Sequence, residues 1–155
     1  MDYCNSLYMN ISKDNIYKSQ KVQNAAARLI LGKRRQESIS SSYKQLHWLR
    51  IEARVIFKVL LLVFKVLRGK CSENLQLRYK SFNGRADDYL LLETPVYKTV
   101  YGKRTFDYNG SRLWNALPVH VRAEEDIERF KKCVKTILFD GGHEELRKKA
   151  FRYNS

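Results

Sequence analysis

Residues 13 to 36 carry seven lysines and arginines against a single acid. The bases are Lys13, Lys18, Lys21, Arg28, Lys33, Arg34 and Arg35, the acid is Asp14, and the local charge is +6. Phosphate contacts need only positive charge and reach, so such a run can grip a nucleic-acid backbone without reading its bases. A second group, Lys98, Lys103, Arg104 and Arg112, stands beside one acid, Asp107. Tyr97, Tyr101 and Tyr108 lie among these bases, and a tyrosine ring can stack on an unpaired base. Ordinary packing is the competing use of the same rings. The candidate nucleic-acid-binding residues are therefore Lys18, Lys21, Arg28, Lys33, Arg34, Arg35, Lys103 and Arg104, with RNA or DNA as the partner.

Other chemistries lack their residues. There is no glycine-rich phosphate loop, no Gly-x-Ser-x-Gly elbow and no His-Glu-x-x-His helix. Cys4, Cys71 and Cys133 are far apart, and His47, His120 and His143 do not join them at ligand spacing. No metal site and no cofactor are expected. Unpaired thiols suit a reducing compartment, nuclear or cytoplasmic. Trp48 and Trp114 are each flanked by leucine, which reads as core anchoring for both, and His47 reads as a packed histidine.

These side chains must be positioned by a chain of 155 residues, enough for one ordinary domain. With 44% hydrophobic residues it can build a core. A net charge of +14 and a pI near 9.8 favour polyanionic partners, mainly nucleic acid. The apolar run Val55 to Leu67 is thirteen residues long and includes Lys58 and Lys65. A membrane span needs about 20 apolar residues, so the run predicts a buried helix and no membrane partner. The first apolar stretch is broken by Asn5, Ser6 and Asn10 and does not make a signal peptide.

The periodicity predicts a mainly α fold with a small β element. A helix is expected over 14–31, capped by Ser12 or Asp14 and stopped by Gly32. Its apolar face would carry Ile16, Val22, Ala26, Leu29 and Ile30. A short helix begins at Ser41 or Ser42 and runs to Leu49. A long central helix follows over 51–68, ending at Gly69. Residues 70 to 88 read as a linker, so that two subdomains could meet there, with 1–69 on one side and 89–142 on the other. Val96 to Val100 alternates and predicts a short strand. Helices are expected over 106–117, stopped by Pro118, and over 124–139, with the stripe Ile127, Phe130, Val134, Ile137 and Leu138. Residues 143 to 155 read as a charged tail.

Several dense words stand in a fixed order along this scaffold. They are Asp2-Tyr3-Cys4-Asn5-Ser6-Leu7-Tyr8, Val22-Gln23-Asn24-Ala25-Ala26-Ala27-Arg28-Leu29-Ile30, Leu46-His47-Trp48-Leu49, Tyr101-Gly102-Lys103-Arg104-Thr105-Phe106 and Arg112-Leu113-Trp114-Asn115-Ala116-Leu117-Pro118, closing on Lys135-Thr136-Ile137-Leu138-Phe139. Phe57-Lys58 and Phe130-Lys131 fall between them in register. From about residue 2 to Phe139 the chain resembles the C-terminal region of the reverse-transcriptase polyprotein of LINE-type (non-LTR) retrotransposons, downstream of the polymerase palm. In that family the palm aspartates lie in an aromatic-x-Asp-Asp word. Asp87-Asp88 follows Arg85 and Ala86 and lacks the aromatic residue, so it reads as a solvated acidic pair. The resemblance thus implies a segment without catalytic residues of its own, helping to hold template RNA or target DNA beside the rest of a reverse transcriptase. It also implies that Met1 is an internal start or the edge of a truncated copy, with Leu7, Tyr8, Met9 and Ile11 short of packing partners and prone to association. Relatives carry proline where Arg50 stands. A nucleic-acid-binding or scaffold protein adopted by the host, and an inert remnant of a decayed element, are the alternatives.

Overall fold

The computed structural model describes residues 12–71, 75–81, 84 and 89–151. Among them the chain is mainly α-helical, as its periodicity requires. The helices are α1 (Lys13–Leu31), α2 (Ser40–Gln45), α3 (Ile51–Leu67), α4 (Phe106–Ala116), α5 (Val119–Arg122), α6 (Ile127–Ile137) and α7 (His143–Phe151). A 3-10 turn, Gly102–Arg104, precedes α4, and a π-helical turn, Leu138–Gly142, joins α6 to α7. No helix among the described residues is long and apolar enough to cross a membrane.

Local chemistry sets several helix ends. Ser12 Oγ accepts from the Asn15 N–H at 3.4 Å to open α1, and Asp126 accepts from the Arg129 N–H at 2.8 Å to open α6. Gly32 and Gly69 stop α1 and α3 in the left-handed conformation, with φ of 62° and 64°. Arg50 precedes α3 at φ −62°, a value that proline also adopts. The first N–H of α3, on Ile51, is satisfied from another helix: Gln20 Oε1 accepts it at 3.0 Å.

Helix α3 is the centre. It packs against α1, α4, α6 and α7, and Ile56, Val59, Leu60, Val63 and Phe64 are fully buried along it. The Phe64 and Phe130 rings stack at 4.5 Å between centroids, and Trp114 stacks on Phe130 at 5.8 Å. One apolar cluster contains residues from both sides of the segment 70–88, from Leu49 through Leu146. The approach of α4 to α3 depends on Gly110, because a Cβ there would lie 2.9 Å from Val63 Cγ2. The segment read as a charged tail supplies α7, whose Leu146 is buried in the same cluster and whose Arg147 pairs with Glu52 at 3.1 Å.

Two expectations are corrected. The small β element reduces, among the described residues, to one antiparallel bridge between Tyr79 and Leu92. Val96 to Val100 is an irregular stretch that bends into a turn at Val100, with Val96 94% exposed; alternation makes a strand only where a second edge pairs with it. The predicted apolar face of α1 also turns outward. Leu29 is 84% exposed, and Val22 and Ile30 are exposed beside it. The face turned to the domain is polar: Gln23 and Ala27 are buried, and Gln20 and Asn24 flank them. Hydrogen bonds explain the reversal. Gln23 Nε2 donates to the Leu49 carbonyl at 2.9 Å, and the Tyr43 hydroxyl donates to Asn24 Oδ1 at 2.7 Å. Gln20 Nε2 donates to that same hydroxyl at 2.6 Å. Once buried, these groups are costly to leave unpaired, so the network fixes which side of α1 faces in.

Candidate nucleic-acid interface

Lys18 and Lys21 sit on the exposed side of α1, the latter with its ammonium 4.5 Å from the Tyr17 ring centre. Arg34 and Arg35 are exposed in the turn beyond Gly32. Lys33 is half-buried; its Nζ donates to Ser41 Oγ at 3.0 Å and to the Ser38 carbonyl at 3.5 Å. Arg28 differs from the rest. It is half-buried, and its Nε is enclosed without a hydrogen-bond partner, so it faces the protein more than it faces solvent. None of Lys18, Lys21, Lys33, Arg34 or Arg35 forms an ion pair among the described residues. Two clusters result, one early in α1 and one just after its end. At about 1.5 Å per residue the helix holds them roughly 20 Å apart.

The second basic group lies elsewhere. The turn Gly102–Arg104 packs on α4, whereas α1 packs on α2 and α3. Lys103 is half-buried and its carbonyl accepts from Asn109 Nδ2 at 3.0 Å, while Arg104 is exposed with its guanidinium 5.8 Å from the Tyr101 ring. The three tyrosines divide. Tyr108 is buried, and its hydroxyl accepts from Arg112 at 2.7 Å. Tyr97 donates its hydroxyl to Asp107 Oδ2 at 2.6 Å. Tyr101 alone of the three is largely open, at 81% exposure.

Asp107 stitches this turn together. Burial by itself would raise its pKa, but hydrogen bonds from Thr105, from Tyr97 and from the Tyr108 N–H outweigh it and hold the carboxyl below its ordinary 3.8. The same bond to Asp107, aided by burial, pushes the Tyr97 hydroxyl up. A folded pKa below the unfolded one adds stability above the unfolded value, and that stability is lost as pH falls through the folded value. Asp107→Asn is therefore expected to lower the thermal midpoint at neutral pH, and the gap to the native protein should close in the acid range below about pH 4. Thermal unfolding followed by circular dichroism across pH checks this; a gap that stays constant would refute it.

The family-like words have physical roles in the fold. Trp114 donates its indole N–H to the Leu90 carbonyl at 2.9 Å. Asn115 clamps Leu92, accepting its N–H and donating to its carbonyl, both at 2.8 Å. Leu113 and Leu117 are fully buried. The word around Gln23 meets the word around Leu49 through the hydrogen bond already described. No protein-family model, curated protein or solved structure matches this chain. Asp87-Asp88 and the word at residues 2 to 8 lie outside the described residues. Among the described residues no three His, Cys, Asp or Glu side chains gather where a metal could sit.

Hollows open on the surface of the described residues. One, of about 740 Å³, is open and lined by Arg78, Lys80, Glu93, Asp107 and Asn115 among others, with no aromatic ring. Another, of about 280 Å³, lies between the α2–α3 junction and the π-helical turn, and the sequence reading missed it. Its walls come from two stretches of chain, 40–53 and 138–143, far apart in sequence, so no local pattern announced it.

Proposed function

We propose that this chain holds RNA or DNA by its phosphates, without reading sequence, as a segment of the post-palm region of the LINE-type reverse transcriptase that its words resemble. The reading assigns it no polymerisation chemistry; the remainder of such a reverse transcriptase would be its partner where both are made as one longer chain. One observation carries the binding: Lys18, Lys21, Arg34 and Arg35 are exposed and have no ion pair among the described residues, on a chain of net charge +14. Cations left without carboxylate partners are free to displace counterions from a polyanion. The outward apolar stripe of α1 favours a second reading, a scaffold protein that meets another protein there.

The test is fluorescence anisotropy with labelled single-stranded and duplex oligonucleotides across a salt series. With roughly four to six phosphates held, the plot of log K against log salt should fall with a slope of about −3 to −5. Unrelated sequences should bind alike. Absent binding, or binding indifferent to salt, overturns the proposal.

A further inference from the structure

The two tryptophans look alike in sequence and have different surroundings in the fold. Trp114 is 2% exposed in the core cluster. Trp48 is half-buried, stands outside that cluster and lines the smaller hollow. Its position follows from His47, whose φ of 51° turns the chain out of α2 in the left-handed region, while the Trp48 N–H donates to the Tyr43 carbonyl at 3.0 Å.

The hollow is lined by Tyr43, Trp48, Phe139 and His143, four flat rings, together with Lys44 and Arg50. Phe139 and His143 reach it because the π-helical turn Leu138–Gly142 interrupts the passage from α6 to α7; such turns recur at functional sites. The Tyr43 hydroxyl is already committed to Gln20 and Asn24. Arg50 lies 5.9 Å from the Tyr43 ring centre and donates to Ser40 Oγ at 3.3 Å. The next residue, Ser41, accepts from Lys33. The hollow therefore opens beside the basic run that begins at Lys33. Its volume of about 280 Å³ falls just under the range of roughly 300–1,000 Å³ seen for ligand clefts. One planar ring system fits that space better than a peptide segment does. The larger hollow is a poorer candidate, because it offers no ring to stack on and its bases, Arg78 and Lys80, are matched by Glu93 and Asp107.

We infer that the hollow between the α2–α3 junction and the π-helical turn receives one unpaired nucleobase of a single strand, stacked on Trp48, while Arg50, Lys44 and the Lys33–Arg35 run hold the flanking phosphates. A base paired within a duplex cannot enter. The segment thus prefers single-stranded over duplex nucleic acid, whichever bases are present, because every base has a face to stack. This inference rests on the phosphate-binding reading above and adds to it the strand state of the ligand.

The experiment uses the whole chain with short oligothymidylate, short oligouridylate and a duplex of the same length. With Trp114 shut in the core, quenching of tryptophan emission on adding a single strand reports on Trp48. Quenching by either single strand and not by duplex is expected, and the two oligomers distinguish a DNA ligand from an RNA one. Trp48→Ala should weaken single-strand binding about tenfold, the usual worth of one stacked base, and leave duplex binding unchanged. Trp48→Phe, which keeps a ring and guards against misfolding, should lose the quench and keep the single-strand preference. If single strand and duplex bind alike and emission does not change, the pocket is not used, and phosphate binding stands without it. If neither binds, both readings fall together.

Discussion

Trp114→Ala is expected to lower the free energy of unfolding by about 3–5 kcal/mol, a large share of the roughly 5–15 kcal/mol that holds an ordinary domain. Three consequences of the truncation add together. The stacking on Phe130, which itself lies on Phe64 from the central helix, is lost. A cavity opens where no water can be satisfied, at the meeting of α3, α4 and α6. The Leu90 carbonyl, held at φ 56° on its own residue, loses the indole donor 2.9 Å away. Trp114→Phe separates these terms, since it keeps most of the packing and leaves the carbonyl unpaired at a cost of about 1–3 kcal/mol. Urea unfolding followed by circular dichroism measures both, with the midpoint moving and the slope unchanged if only stability is affected. Trp48→Ala, outside the core, should move the midpoint far less. Equal losses at the two tryptophans would mean that the core is not centred where α3 places it.

Lys33→Ala, Arg34→Ala and Arg35→Ala made together should produce the largest change in binding. Each phosphate contact contributes about 0.9 to the salt slope on duplex DNA, so removing three should flatten it by up to about three. Affinity at low salt should fall with it, and the variant should converge on the native protein as salt rises. Lys33 complicates the expectation in a checkable way. Its Nζ braces Ser38 and Ser41, so a loss of the loop would show in the circular dichroism spectrum as well as in binding. Arg34→Ala with Arg35→Ala alone avoids that and should flatten the slope by about two. Glu125→Ala, in the exposed segment between α5 and α6, is the control that should leave the slope alone. An untouched slope in the triple variant would show that this run is only solvated, and would move attention to Arg104 and the open Tyr101.

What the sequence disclosed and what it hid divide along the range of the forces involved. Helix ends were legible where a serine or a glycine acts on groups within a few residues, as Ser12, Gly32 and Gly69 do, whereas α6 starts at Ile127 behind its Asp126 cap and not at 124. Helix α3 was legible because a helix apolar nearly all round has nowhere to go but the middle. The facing of α1 was not. Its apolar stripe is real, but Gln20, Gln23 and Asn24 find partners on α2, on α3 and on Leu49 between them, and those hydrogen bonds are invisible until the helices meet. Val96 and Val100 have the composition of a strand and no second strand to pair with among the described residues. The basic residues were easily read as a type, whereas the half-burial of Arg28 and Lys33 depends on what packs over them. The aromatic hollow was beyond reach, since Tyr43, Trp48, Phe139 and His143 converge only after α7 has folded back against α3 and α4.

The outward stripe of α1 also bears on how this molecule behaves in solution as a colloid. Leu29, Ile30 and Val22 offer neighbouring copies an adhesive strip, while a net charge of +14 holds those copies at a distance. Repulsion between whole molecules is carried by long-range fields that fade beyond about 10 Å at 0.1 M salt, whereas apolar adhesion acts at contact and is not screened. Added electrolyte therefore weakens the hold on a polyanion and lowers the barrier to clumping at once. For this chain, ionic strength is a single dial turning two opposite responses, and dilution is what tells them apart.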